Sequence, residues 1–118
     1  MRVASTVNDI SDIIDALRTV NPLIQILLAQ PIAKTGVPSI AVLNGNLPAL
    51  VADKDRAQSP IVLVDQYTGF DPSTMTYDGT HPNAIGDSHM ADRWFEKLAP
   101  MLDAFLTQSG LEAGQGRP

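Results

Sequence analysis

Ile61-Val62-Leu63-Val64-Asp65 carries four apolar residues in a row, three of them β-branched, before the chain leaves through Gln66-Tyr67-Thr68-Gly69-Phe70-Asp71-Pro72. A strand with one wet face would alternate apolar and polar residues. A short unbroken apolar run is instead what a strand buried on both faces of a parallel sheet requires. The same pattern appears upstream in Leu23-Ile24-Gln25-Ile26-Leu27-Leu28-Ala29, with Gln30-Pro31 at its carboxyl end.

Helical periodicity surrounds these two runs. Ile10, Ile13, Ile14 and Leu17 recur at three- and four-residue steps, with Asp9, Asp12, Asp15 and Arg18 between them, which predicts a helix over residues 7–20 that ends at Asn21-Pro22. Residues 33–38 read as a loop. Residues 48–56 read as a second helix begun by Pro48, its start blurred by Asn44-Gly45. Asn83 is a good N-cap for a last helix whose apolar stripe runs through Ala91, Trp94, Phe95, Leu98, Met101, Leu102, Phe105 and Leu106; its aromatic residues are expected in a core. Pro100 should kink or split that helix, Ser109-Gly110 should stop it, and residues 109–118 are expected to form a frayed tail.

The order helix, strand, helix, strand, helix is the rhythm of an α/β fold with helices on both faces of a parallel sheet. Only two strands can be counted. Two parallel strands leave sheet edges and apolar faces uncovered, so the chain reads as part of a fold that must associate with itself or with a complementary half.

Composition narrows the function. The 118 residues are 44% apolar and 18% charged, ordinary for one globular unit. Lys and Arg total 8 against 13 Asp and Glu, a net charge of −5, which argues against nucleic acid or an anionic membrane surface as partner. There is no cysteine, hence no disulfide and no thiolate chemistry. The longest apolar run falls far short of the ~20 residues that cross a bilayer, and no signal peptide is visible.

The segment with chemistry in it is Tyr77-Asp78-Gly79-Thr80-His81-Pro82-Asn83. An Asp three residues before a His can fold back on it through a glycine turn, orient the imidazole and stabilise its protonated form. From the pattern alone, a plain Asp-Gly turn with an exposed His before a capped helix is the competing reading. His89 is expected at the surface; with Asp78 and His81 it would make an oddly spaced metal site, so no metal is expected. Asp65 could line a cleft at a strand end or merely close a turn. No serine lies in a Gly-x-Ser-x-Gly elbow.

The chain resembles the SGNH, or GDSL-type, hydrolases, and among them the small carbohydrate esterases of the acetylxylan esterase kind. The resemblance spans about residues 10–106. It rests on Asn21-Pro22 before a strand ending in Ala29-Gln30, Leu43-Asn44 and Leu47-Pro48, Val64-Asp65-Gln66-Tyr67-Thr68-Gly69-Phe70, and Asp78-Gly79-Thr80-His81-Pro82-Asn83 with Gly86, Met90 and Ala91 behind it. It implies a three-layer α/β/α sandwich with a flavodoxin-like parallel sheet, of which this chain holds about two strands. It implies Asp78 as the orienting carboxylate of a catalytic triad, His81 as general base and then acid, a small-molecule or carbohydrate ester as substrate, and no cofactor.

The family's nucleophilic serine sits in a Gly-Asp-Ser block near the amino terminus, and its oxyanion-hole Gly and Asn in two further blocks. None of these precedes the helix over residues 7–20; Val7-Asn8-Asp9 is similar to the Gly-x-Asn-Asp block but lacks its glycine. Residues 1–108 are therefore expected to be the carboxyl-terminal part of such a domain. The alternative is a catalytically silent fragment or interaction module. The cellular compartment is not legible.

Overall fold

A computed structural model describes residues 1–110 of the chain; the expected tail beyond Gly110 lies outside them. Its elements are α1 (Val3–Val20), β1 (Ile26–Gln30), α2 (Ser39–Lys54), β2 (Ile61–Asp65), α3 (Pro72–Met75) and α4 (Ala84–Gln108). β1 and β2 pair in parallel, from Ile26 opposite Ile61 to Gln30 opposite Asp65, with α2 as the crossover.

The period of two along each strand divides the molecule into layers. Ile26 and Ile61 are buried in one cluster with Ile14 of α1 and Leu43, Leu47 and Leu50 of α2, and Leu28 and Leu63 pack against it. Val64, fully buried, and Phe70 lie outside that cluster, and α4 packs on β2, so α4 takes the opposite face. The result is α/β/α around a two-stranded parallel sheet, as the apolar runs predicted.

Three departures from the expected elements have physical causes. The apolar run at 23–29 yields a shorter strand, because Asn21 takes the N–H of Leu23 on its side chain and that of Ile24 on its carbonyl, turning those residues out of the ladder. The second helix begins at Ser39, nine residues before Pro48. Proline has no N–H for the carbonyl four residues back, which belongs to Asn44. The Gln30 side chain supplies the missing donor, its Nε2 lying 2.8 Å from that carbonyl. Nor does Pro100 split α4, which is continuous from Ala84 to Gln108. The carbonyl it frees belongs to exposed Glu96, where water can take the bond.

Arg18, expected on the polar side of α1, is buried at 6% exposure. Its guanidinium donates to Ser59 Oγ (2.8 Å), the Ser59 carbonyl (2.6 Å) and the Lys54 carbonyl (2.6 Å), and Ser59 Oγ donates in turn to the Ile24 carbonyl (2.6 Å). The rigid fork of donors thus ties the end of α1 to an orphan carbonyl at the end of α2 and to the entries of both strands.

The aromatic stripe of α4 is the largest surprise in burial. Phe95 is 69% and Phe105 55% exposed, and Leu98 and Leu102 are exposed as well, as are Ile13 and Leu17 of α1. Residues patterned for a core stand uncovered among the described residues.

Candidate active site

The segment between β2 and α4 is held almost entirely by its own polar groups. Asp65 Oδ1 accepts the N–H groups of Tyr67 (3.0 Å) and Thr68 (2.9 Å), closing the turn at the carboxyl end of β2; the structure gives Asp65 this turn-forming role. Asp71 caps the short α3 by accepting from the Ser73 N–H. Asn83 joins α3 to α4: its Oδ1 accepts from Ile85 and Gly86, and its Nδ2 donates to the Thr74 carbonyl. Gly86 is required where the helices meet, since a Cβ there would collide with the Met75 carbonyl.

Between these anchors residues 77–81 form a tight turn, with the Tyr77 N–H donating to the His81 carbonyl at 3.0 Å. Gly79 adopts φ +86°, a conformation that side-chain-bearing residues rarely take. Asp78 folds back over the turn. Its Oδ1 accepts the backbone N–H groups of His81 (2.8 Å) and Thr80 (2.9 Å), and its Oδ2 lies 2.6 Å from His81 Nδ1. The separation is that of a charge-assisted hydrogen bond, as an orienting pair requires.

A carboxylate can only accept, so Nδ1 carries the proton and the neutral ring presents Nε2 as an acceptor. With the imidazole side chain 75% exposed and no hydrogen-bond partner at Nε2 among the described residues, that lone pair is open to an incoming group. The backbone N–H of His81, the bond from its ring and the N–H of Thr80 hold the Asp78 carboxyl at about 2, below the ordinary 3.8. Asp78 therefore stays ionised wherever a histidine base could work.

The loop leaving β1 meets this turn, placing it on the carboxyl-end side of the sheet. The Thr35 N–H donates to the Gly79 carbonyl at 2.9 Å. Ala33, Lys34, Gly36, Val37 and Pro38 of that loop, with Tyr67 after β2, line an open cleft of about 360 Å³. Open α/β sheets take their ligands at this end.

His89 is not at the surface as expected. Its ring is half-buried, edge-on to Phe70 at 5.5 Å between centroids, with Nε2 buried and unpartnered. Among the described residues no three metal-ligating side chains gather. Val7-Asn8-Asp9 lies inside α1, and the tripeptide Gly86-Asp87-Ser88 inside the first turns of α4 rather than on a strand-to-helix elbow. Sequence reasoning missed Thr35 and Thr76, whose hydroxyl accepts the Gly79 N–H at 2.7 Å; neither belongs to a periodic or spaced motif that could have flagged it.

Helices on both faces of a parallel strand pair, with an Asp–His turn beyond its carboxyl ends, make up part of an α/β domain, and two solved esterases share this arrangement. The chain superposes on a carbohydrate esterase family 3 structure from Talaromyces cellulolyticus with a TM-score of 0.82 and 26% identity, over 86% of this chain and 51% of that one. It also superposes on a serine-to-alanine mutant of an acetyl esterase solved with an acetate ion, with a TM-score of 0.84 and 25% identity, over 89% of this chain and 52% of the other. The chain thus spans about half the length of each. No protein-family model matches it, and no curated protein does.

Proposed function

We propose that this chain is the carboxyl-terminal part of an SGNH-type serine esterase domain that cleaves O-acetyl or short acyl esters of carbohydrates, with Asp78 and His81 as its acid–base pair. The observation that carries the reading is the 2.6 Å contact between Asp78 Oδ2 and His81 Nδ1 in a turn whose His Nε2 is free to take a proton. The esterase structures that the chain resembles support the reaction class.

The nucleophilic serine comes from sequence outside this chain. As its Oγ attacks the acyl carbon, its proton passes to His81 Nε2, and Asp78 stabilises the imidazolium. Collapse of the tetrahedral intermediate breaks the ester C–O bond, and His81 returns the proton to the departing sugar oxygen. Water then attacks the acyl-enzyme with its proton taken by His81, releasing the acid and restoring the serine. Turnover of p-nitrophenyl acetate by a complete domain carrying this chain, with and without the His81 imidazole, tests the reading.

The same reading accounts for the uncovered stripe of Phe95, Leu98, Leu102 and Phe105, which the rest of the domain would cover. Alone, the chain is expected to bury it by self-association, since leaving even ~400 Å² of apolar surface wet costs on the order of 10 kcal/mol. Sedimentation at micromolar concentration should give a mass above the monomer's 12.6 kDa. A monomer with a cooperative unfolding transition would contradict this.

A further inference from the structure

We propose that Thr35 is a positioning residue for the Asp78–His81 pair, so that the wall of the neighbouring cleft and the imidazole are set together. Both peptide groups flanking Gly79 are pinned. Its N–H donates to Thr76 Oγ1 at 2.7 Å, and its carbonyl accepts from the Thr35 N–H at 2.9 Å. Thr76 is itself fixed, buried and donating its hydroxyl to the Pro72 carbonyl at 2.6 Å.

The Thr35 side chain adds a steric stop to that bond. A Cβ built on Gly79 would stand 2.7 Å from Thr35 Oγ1 and 2.9 Å from Thr35 Cβ, so the threonine occupies the space beside the glycine Cα. Gly79 is the hinge between Asp78 and the two amides that bind its Oδ1. If Gly79 rotates away from φ +86°, those amides turn relative to the carboxylate, and the bond to Nδ1 goes with them.

Thr76 holds the hinge from within the same loop, whereas Thr35 holds it from the β1–α2 loop. Its neighbours Lys34 and Gly36 line the cleft. Displacement of that wall by a bound ligand is thereby transmitted to the hinge under the imidazole. The functional meaning of this coupling rests on the proposed role of His81; the coupling itself does not.

The test uses the full chain and proton NMR of the low-field His81 Nδ1–H, assigned by its absence in His81→Ala. Thr35→Pro removes the donor to Gly79 and should speed exchange of that proton on the order of tenfold, while β1 and β2 amides stay protected and Thr35→Ser behaves as wild type. Unchanged exchange in Thr35→Pro, or equal damage from Thr35→Ser, would overturn the proposal.

Should Thr35→Pro unfold the sheet, Thr35→Gly decides, since it keeps the N–H to Gly79 and removes the steric stop. It should speed exchange of the Nδ1–H several-fold relative to Thr35→Ser, and exchange equal to wild type overturns the proposal. An inactive complete domain with the NMR coupling intact would count against the esterase reading alone.

Discussion

Replacing Asp78 by asparagine is expected to lower kcat of a complete domain carrying this chain by about 10⁴-fold, with KM little changed. The carboxamide that Asp78→Asn introduces can keep its Oδ1 on the amides of Thr80 and His81, so the turn survives. Its other atom is then an NH₂, a donor where Nδ1 needs an acceptor. The imidazole must shift its proton to Nε2, and it can no longer take one from a nucleophile. Steady-state kinetics beside an unchanged circular dichroism spectrum check this; a loss below tenfold would mean that the contact does not set the tautomer.

Asp78 also fixes a pH window. Its carboxyl is held at about 2 in the folded chain and titrates near 3.8 when free, a depressed value. The stabilisation it gives the turn is therefore present above 3.8 and is lost as pH falls from there through about 2. Carbon-13 titration of its carboxyl group reads this directly.

Leu47→Ala should be the most damaging of the simple truncations to the fold, at ~2–5 kcal/mol. Leu47 is fully buried on α2 within the cluster that joins α1, α2 and both strands. Cutting it to alanine removes apolar contact and leaves a cavity that elements on three sides cannot collapse to fill. Val20→Ala, at a position 88% exposed and outside the stripe of α4, should change stability far less. Urea unfolding at one fixed protein concentration separates the two, since association would otherwise shift both midpoints.

What could be read from the sequence follows the range of the interactions. β2 was legible residue for residue because its signal, an unbroken apolar run, is local. The Asp78–His81 contact was legible because its partners stand three residues apart. The first half of α2 was not, because Asn44-Gly45 and Pro48 look like breakers, and the donor that rescues the freed Asn44 carbonyl comes from Gln30 on another element. Burial of Arg18 was hidden for the same reason. A charged residue at a polar helical position goes inside only when distant carbonyls and a hydroxyl converge on it, and here Ser59 and Lys54 do so. Periodicity marked the α4 stripe as apolar, but whether anything covers it depends on the rest of the fold. The Thr35–Gly79 contact has no sequence signal, since each residue gains its meaning only when the two loops meet.

The most direct measurement is p-nitrophenyl acetate turnover by a complete domain carrying this chain, compared with its His81→Ala variant. The expected result is turnover in the first and loss of at least about 10³-fold in the second, with its circular dichroism and unfolding midpoint unchanged, as removal of a triad base demands. Equal turnover by the two would contradict the assignment of His81 as the base and, with it, the reading of this chain as the acid–base part of a serine esterase.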